Sequence, residues 1–213
     1  MSDLSRRGLM YVMSSPSGAG KTTITRALLK NNPDVSISIS TTTRPRRAGE
    51  VHGQDYYFVS VEEFRSMVDN GDMLEHAKVF DNYYGTPKEA VNNALSQGKD
   101  VVFDIDWQGT QQLCETARED VVTVFILPPS RAELEKRLRN RSRDTRETEE
   151  EIQGRMSKAT SEISHYAEYD YVIINNDVNE AIEKAQRILN GERLKRCRTK
   201  GLSDFVRGLM SGL

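Results

Sequence analysis

The segment Ser15-Pro16-Ser17-Gly18-Ala19-Gly20-Lys21-Thr22-Thr23 decides how the rest of the chain is interpreted. It fits the phosphate-binding pattern of Gly, four residues and Gly-Lys-Ser/Thr, except that Ser15 stands at the first glycine. An apolar run at residues 9–13 precedes it, and apolar residues at helical spacing follow it, namely Ile24, Ala27 and Leu28. This order predicts a strand, a loop and a helix, which is the context that a phosphate-binding loop requires.

The residue types of this loop match distinct tasks in binding a triphosphate. Gly18 and Gly20 allow successive backbone N–H groups to turn toward phosphate oxygens, and the helix start adds its positive dipole end. Lys21 can reach the outer phosphates, and the Thr22 hydroxyl can ligate Mg²⁺. The alternative is a Ser/Gly-rich turn before an ordinary helix. The predicted ATP-binding residues of the loop are Ser14, Ser15, Pro16, Ser17, Gly18, Ala19, Gly20, Lys21, Thr22 and Thr23.

Length and composition limit the class of protein. A chain of 213 residues with a formal net charge of -2 predicts one domain with insertions or a tail, and its overall charge attracts neither nucleic acid nor an anionic membrane. No apolar stretch approaches the roughly 20 residues that span a bilayer, and the first residues lack a signal-peptide core. The two cysteines, Cys114 and Cys197, have no metal-ligand spacing. We therefore expect a cytoplasmic protein with neither nucleic acid nor membrane as a partner.

The pattern of elements predicts an α/β fold, with a three-layer core around a parallel sheet and the phosphate-binding loop after the first strand. Residues 101–106, 121–127 and 170–177 are predicted buried strands or strand ends, and residues 38–86 form a mostly-β insertion that is too long for a simple crossover. A strand is predicted at 35–40, where the insertion begins, and further strands are predicted inside it at 53–59 and 73–80.

Helix starts and ends follow from capping signals. Ser60 and Thr148 open capping boxes, and Thr86 before Pro87 predicts a helix capped by Thr86. Asn190-Gly191 predicts the end of the closing helix. The tail, residues 191–213, ends with apolar residues at helical spacing, so we expect it to pack on the domain or on another subunit, which would make a homo-oligomer.

Two arginine-rich segments and one acidic strand end remain to be interpreted. Three arginines fall within residues 44–47 and five within residues 137–146, and both segments are either anion sites or solvated surfaces. Arg137 and Arg141 are helical neighbours, so a bound anion would relieve their repulsion. Asp104, at a buried strand end, is predicted to contact Mg²⁺ through water, with helix capping as the alternative; Asp106 fits either role.

This layout favours phosphoryl transfer between two phosphorylated molecules. An acceptor phosphate with a second pKa of about 6 is already ionised at neutral pH and needs no general base. What it needs is relief of repulsion between anions, which Mg²⁺, Lys21 and several arginines supply. His52, His76 and His165 have no metal-ligand or triad spacing, and we interpret them as incidental.

Four stretches resemble the guanylate kinase family: Ser40-Thr41-Thr42-Thr43-Arg44-Pro45-Arg46-Arg47, residues 53–59, Tyr83-Tyr84-Gly85-Thr86 and Asp104-Ile105-Asp106-Trp107-Gln108-Gly109. The similarity runs from about Gly8 to Leu189. It implies a domain at residues 8–190, with a GMP-binding subdomain at 38–86, a lid region at 137–155 and a C-terminal tail at 191–213.

The resemblance also implies roles for individual residues. Two groups of positions are expected to bind GMP. Its phosphate is assigned to Arg44, Arg47, Tyr56 and Tyr84, and its guanine base is assigned to Ser40, Glu75, Thr86 and Asp106. The catalytic positions are Lys21, Arg44 and the lid arginines Arg137, Arg141 and Arg155, while Asn175 lies on the adenine side of the ATP site. Thr22 and Asp104 match the Mg²⁺ contacts. The lid segment 142–146 is longer and more basic than the family's short turn.

The expected activity is reversible, Mg²⁺-dependent transfer of the γ-phosphoryl group of ATP to GMP, with dGMP as a second substrate. The carboxylate of Glu75 suits the two donors of guanine, and adenine cannot satisfy it. The rival hypotheses are a catalytically inactive guanylate-kinase-like interaction module and another nucleoside monophosphate kinase. A GTPase switch is disfavoured because the chain has no Asn-Lys-x-Asp stretch for recognising guanine.

Overall fold

A computed structural model describes residues 4–79, 81–145 and 148–211, with only the backbone of residues 141–145. In chain order the elements are β1 (Ser5–Arg6), β2 (Met10–Ser14), α1 (Lys21–Asn31), β3 (Val35–Ile37), β4 (Thr41–Thr42), β5 (Tyr57–Phe58), α2 (Val61–Asp69), β6 (Met73–Val79), β7 (Asn82–Pro87), α3 (Lys88–Ser96), β8 (Asp100–Asp104), α4 (Trp107–Ala117), β9 (Val121–Leu127), α5 (Arg131–Thr145), α6 (Glu149–Ser164), β10 (Tyr171–Ile174), α7 (Val178–Arg193), β11 (Thr199–Lys200) and α8 (Leu202–Ser211). Two short 3-10 helices cover His165–Glu168 and Arg196–Arg198.

A five-stranded parallel sheet forms the centre of the molecule, in the order β10-β9-β2-β8-β3. The middle strand, β2, is buried along its whole length, and its side chains alternate between the two faces. Tyr11 and Met13 pack with α1 and α7, whereas Met10 and Val12 pack with α3 and α4. The predicted α/β fold with three layers is therefore confirmed.

A second sheet of four strands, in the order β5-β4-β7-β6, lies in the chain between β3 and α3. Strands β6 and β7 form an antiparallel hairpin in which Glu75 is opposite Thr86. Helix α2 begins at the predicted capping box, where Ser60 accepts a hydrogen bond from the Glu63 amide. The mostly-β insertion thus has its own sheet, which is separate from the parallel one.

Several predicted strands are longer than those observed. The strand predicted at 35–40 ends at Ile37, and the one predicted at 53–59 keeps only Tyr57–Phe58. The strand predicted at 73–80 runs from Met73 to Val79, and Phe80 lies outside the described residues. Apolar alternation alone does not identify where a strand loses its hydrogen-bonded neighbour, and the neighbour sets these limits.

Two predicted helix boundaries are wrong. Helix α7 continues through Asn190-Gly191 to Arg193, because its last turn makes long-range contacts: Arg193 Nε lies 2.7 Å from Asp100 Oδ2. Helix α3 is capped by Pro87 without a side-chain hydrogen bond. The hydroxyl of Thr86, the predicted cap, instead donates to Glu75.

The C-terminal tail is anchored at its start and exposed at its end. Strand β11 pairs with β1 in an antiparallel two-stranded sheet, which the sequence did not indicate. Helix α8 follows with the predicted helical spacing, yet Phe205, Val206, Leu209 and Met210 are 39–70% exposed. None of the helices in the described ranges combines the length and apolar character needed to cross a membrane.

Candidate active site

The phosphate-binding loop lies between the end of β2 and the first residue of α1. Gly18 and Gly20 have φ values of 89° and 103°, in the left-handed region that favours glycine. A Cβ atom on Gly20 would lie 2.3 Å from Nδ2 of Asn175, so both backbone conformation and space require glycine there. The loop follows the most buried strand of the sheet and is therefore held on a rigid support.

A cavity of about 500 Å³ opens over this loop. Its volume falls within the range of roughly 300–1,000 Å³ that is typical of small-molecule sites. The lining residues are Ser15, Pro16, Ser17, Gly18, Gly20, Lys21, Thr22, Thr23, Asp104, Ile105, Asp106, Arg137 and Glu162. The structure thus brings the loop, the carboxylates at the end of β8 and one arginine of α5 around a single space.

Lys21 and Asp104 both line this cavity and form an ion pair with each other. Thr22, the next residue of α1, also lines the cavity. A hydroxyl and a carboxylate are oxygen ligands of the type that hard cations such as Mg²⁺ prefer. The Thr22 hydroxyl and the Asp104 carboxylate therefore fit a hard divalent cation such as Mg²⁺.

Three residues predicted to bind ATP serve the loop's own structure. The buried Ser14 donates its hydroxyl hydrogen to the Ile105 carbonyl at 2.9 Å. Asn175 is also buried, and its Nδ2 donates to the Ala19 carbonyl at 2.7 Å. Ala19 has no exposed surface. Within the described residues, none of these three side chains lines the cavity. Asn175 therefore stabilises the loop through its hydrogen bond to the Ala19 carbonyl.

Helices α5 and α6 bring two of the predicted lid arginines to the edge of the loop. Arg137 lines the cavity, with its Nε 3.1 Å from Glu133 Oε1 and its Nη2 donating to the Asn175 carbonyl at 3.2 Å. Arg155 donates from Nη1 to the Ser17 hydroxyl at 3.0 Å. The side chain of Arg141, the third predicted lid arginine, lies outside the described residues.

Glu162 is a cavity residue that the sequence analysis missed. It follows Arg155 by seven residues on α6, and two helical turns place both residues on the same face. Burial raises the pKa of Glu162, although the Ser17 amide and Lys21 oppose this change. The spacing of Glu162 from Arg155 could have indicated that it lies at the same site. A carboxylate is, however, not expected among residues that would bind phosphate.

A second cavity of about 370 Å³ adjoins the first. It is lined by Ile37, Ser38, Ser40, Gln54, Asp55, Tyr56, Asp104 and Ile105. Asp104 and Ile105 line both cavities, so the two spaces meet at the end of β8. Ser40 and Tyr56, two of the residues predicted to bind a monophosphate, belong to this second space.

Arg44 lies over the aromatic rings beside this second cavity. Its guanidinium carbon is 5.4 Å from the centre of the Tyr56 ring, and the Tyr84 ring is 6.1 Å from that of Tyr56. Arg44 Nη2 also lies 2.6 Å from Glu50 Oε1. Hydrogen bonding to Glu50 raises the pKa of Arg44 above its ordinary value. The side chain of Arg47 is exposed.

The predicted guanine-recognition residues Glu75 and Thr86 are buried and form a pair. Thr86 Oγ1 donates to Glu75 Oε1 at 2.7 Å. Burial raises the pKa of Glu75, while the Thr86 hydrogen bond opposes that change. A Cβ atom on Gly109 would lie 3.4 Å from Glu75 Oε2, which places the first turn of α4 beside the carboxylate.

Asp106 has a structural role that the sequence left open. Its Oδ1 accepts a hydrogen bond from the Gly109 amide at 3.0 Å and so caps α4. Asp106 also lines the loop cavity, and its charge contributes to the raised pKa of Glu75. Capping and proximity to the predicted guanine site therefore coincide in one residue.

Comparisons with known proteins agree with this geometry. The model of the family described as guanylate kinase matches residues 7–192. A guanylate kinase of Bradyrhizobium diazoefficiens is 59% identical over 208 residues, covering 98% of this chain and 94% of its own length. One from Paramagnetospirillum magneticum is 57% identical over 209 residues, covering 98% of this chain and 96% of its own length.

A solved structure shows the same similarity in three dimensions. The crystal structure of guanylate kinase from Anaplasma phagocytophilum has a TM-score of 0.73 and 39% sequence identity, and the match covers 96% of each chain. A family match over residues 7–192, together with relatives that agree over nearly the full chain, establishes the family. This chain belongs to the guanylate kinase family.

Proposed function

We propose that this protein is an ATP:GMP phosphotransferase that reversibly converts ATP and GMP to ADP and GDP. The observation that carries the proposal is the pair of adjoining cavities at the end of β8. One cavity lies on the phosphate-binding loop, and the other lies beside Tyr56, over which Arg44 is stacked. Two nucleotides bound in this way would point their phosphates toward each other near Asp104.

The chemistry requires neutralisation of charge rather than proton abstraction. The phosphate of GMP is largely a dianion at neutral pH and is itself the nucleophile. Lys21 and Arg137 line the donor cavity, and Arg155 contacts the loop through Ser17. We propose that these groups, with Arg44 and Arg141, reduce the repulsion between donor and acceptor phosphates in the transition state.

We propose Mg²⁺ as the cofactor, held by the Thr22 hydroxyl and, through water, by Asp104. Both residues line the cavity over the loop. When bound, the ion would neutralise charge on the phosphates of ATP. The Lys21 ammonium, which is paired with Asp104, lies beside the same carboxylate and contributes a fixed positive charge to the site.

Guanine selectivity is proposed to depend on Glu75. An ionised carboxylate accepts hydrogen bonds from two donors, and guanine offers N1–H and the 2-amino group. Thr86 holds one oxygen of Glu75 in place, and the other oxygen lies near Gly109. None of the proposed contacts uses the ribose 2′-hydroxyl, so we include dGMP as a second substrate.

The remaining sequence-based assignments stay proposals. They are the domain at residues 8–190, the GMP-binding subdomain at 38–86, the lid at 137–155 and the tail at 191–213. A cytoplasmic location is supported by two free cysteines, which suit a reducing compartment. Nucleic acid and membranes are not proposed as partners, since the overall net charge is -2.

The test follows the fate of the transferred group. ATP labelled with ³²P on the γ-phosphate is incubated with the protein, with and without GMP, and the products are separated. We expect labelled GDP in the presence of GMP and little labelled inorganic phosphate in its absence, because closure should exclude water. ATP binding without any labelled product would favour the inactive interaction module, and labelled phosphate alone would indicate a hydrolase.

A further inference from the structure

The loop at residues 44–50 contains a carboxylate that the proposed chemistry does not use. Glu50 lies among three arginines of the same loop, Arg44, Arg46 and Arg47. A negative charge beside a proposed phosphate site opposes phosphate binding unless it has another task. Its contacts indicate what that task is.

Glu50 connects the two arginines that are proposed to hold the acceptor phosphate. Its Oε1 lies 2.6 Å from Arg44 Nη2, and its Oε2 accepts a hydrogen bond from the Arg47 amide at 2.8 Å. The Glu50 amide donates in turn to the Arg47 carbonyl at 3.2 Å. Both carboxylate oxygens are therefore used within the loop, one on each arginine residue.

Other contacts of Arg44 also hold its guanidinium group in place. Nη1 donates to the Pro45 carbonyl at 2.9 Å. The guanidinium carbon lies 5.4 Å and 5.8 Å from the ring centres of Tyr56 and Phe58. The Arg44 side chain is 12% exposed and that of Glu50 is 20% exposed, so the pair is held within the loop. A guanidinium group has five N–H donors, and these contacts leave others for a ligand.

We propose that Glu50 is a positioning residue for the acceptor phosphate: it orients the Arg44 guanidinium and fixes the backbone at Arg47. This inference rests on the proposed function. Glu50 binds no substrate itself, and it acts by reducing the conformational freedom that a flexible arginine loses when it binds phosphate. Three arginines and one glutamate leave two positive charges on the loop, close to the charge of about -1.5 to -2 on a phosphate monoester.

The alternative is that Glu50 occupies the phosphate site and competes with the ligand. The geometry favours positioning, because one oxygen of Glu50 is committed to a main-chain amide at 2.8 Å and not only to the arginine side chain. The two hypotheses predict opposite signs. Removal of a positioning group weakens GMP binding, whereas removal of a competing anion strengthens it.

The test is a double-mutant cycle in the full-length chain, with KM and kcat measured for GMP and for ATP. The variants are Glu50→Ala, Glu50→Gln, Arg44→Ala and Glu50→Ala combined with Arg44→Ala. Glu62→Ala is the matched control, because Glu62 is exposed on α2 of the same subdomain. Thermal unfolding of each variant shows that it is folded.

Glu50→Ala should raise KM for GMP roughly tenfold, the effect of losing a charge-assisted hydrogen bond, and leave KM for ATP within about twofold. Glu50→Gln, which keeps an acceptor oxygen, should lie between wild type and Glu50→Ala. In the Arg44→Ala background, Glu50→Ala should change kcat/KM for GMP by clearly less than the roughly tenfold expected in the wild-type background, because the contact to Arg44 is gone and only that to the Arg47 amide remains.

Three results would overturn the inference: a lower KM for GMP in Glu50→Ala, an unchanged KM, or an equal effect with and without Arg44. These results remain distinguishable from failure of the proposed function. A wild-type protein that does not phosphorylate GMP refutes the proposed function, whereas an active wild type with an unresponsive Glu50→Ala refutes only the role of Glu50.

Discussion

Replacement of Glu75 by glutamine removes the charge on which guanine recognition is proposed to depend, with almost no change in shape. Glu75 is 7% exposed, and its Oε1 already accepts the Thr86 hydroxyl at 2.7 Å. A glutamine has only one side-chain oxygen, so it cannot accept from Thr86 and from both guanine donors. Its amide N–H groups would also point toward one of the guanine N–H groups, and two donors cannot form a hydrogen bond with each other.

The expected loss follows from the hydrogen bonds that can no longer form. A hydrogen bond to a charged group contributes about 1.5–3 kcal/mol, and an unpaired buried donor costs a similar amount. A loss of about 2–3 kcal/mol corresponds to a decrease of roughly 30- to 150-fold in kcat/KM for GMP. KM for ATP should stay within about twofold, because Glu75 does not line the cavity over the phosphate-binding loop.

The assay is coupled ADP production at varied GMP and at varied ATP. Glu62→Gln is the control, since it makes the same chemical change at an exposed position of the same subdomain. An equal loss of kcat/KM for both nucleotides would mean that Glu75 only supports the fold. A Glu75→Gln variant as active as the wild type would refute the proposed guanine contact.

Three further predictions follow from the same contacts. Burial raises the pKa of Glu75 above 4.5, so the Glu75 carboxyl binds a proton more tightly in the native protein than in the unfolded chain. The protonated carboxyl therefore stabilises the fold at low pH, and this stabilisation is lost as the pH rises through the native pKa. Glu75→Gln should therefore melt at a higher temperature than wild type at pH 7, and the difference should shrink toward acid pH; a lower melting temperature at pH 7 would contradict this. Asn175→Ala removes the hydrogen bond of 2.7 Å to the Ala19 carbonyl and should cost about 1–3 kcal/mol in unfolding free energy while raising KM for ATP. Unchanged stability and KM would show that Asn175 does not brace the loop. Deletion of residues 202–213 should lower the mass found by light scattering from an oligomeric value to that of a monomer, because the apolar residues of α8 are exposed; an intact chain that is already a 24.2 kDa monomer would refute this prediction.

The sequence predicted the centre of the fold because its signals there are local. Strand β8 has three consecutive apolar residues at 101–103, and strand β9 is apolar except for Thr123. The phosphate-binding loop has a fixed spacing of glycine, lysine and threonine. The capping boxes at Ser60 and Thr148 also act within four residues, and both are present as predicted. Such features are decided by neighbours in the chain.

Boundaries that depend on distant contacts were not predictable in this way. Helix α7 passes the expected stop at Gly191 because Arg193 and Glu192 have partners far away in the chain, Asp100 and Tyr171. Strand β11 exists only because β1 is beside it. Local propensity is a weak signal when tertiary contacts compete with it.

The same distinction holds at the candidate site. Motifs identified residues that line the cavity over the phosphate-binding loop, such as Lys21 and Thr22, but they did not indicate the hydrogen bonds that support the loop. Asn175, which is predicted to bind ATP, donates a hydrogen bond to the loop that the sequence did not indicate. Thr86 was expected to cap a helix and instead donates to Glu75. Glu50 and Glu162 carry charges that a sequence-based search for anion sites would not include.

The central claim is that this chain phosphorylates guanosine monophosphate, and a comparison of acceptor nucleotides tests it most directly. Coupled ADP production is measured with GMP, AMP, CMP and UMP at equal concentration and saturating MgATP. We predict that kcat/KM for GMP exceeds that for each other nucleotide by at least roughly 100-fold, because buried Glu75 leaves unpaired groups with any other base. Preferential turnover of AMP, or equal turnover of all four, would contradict the account.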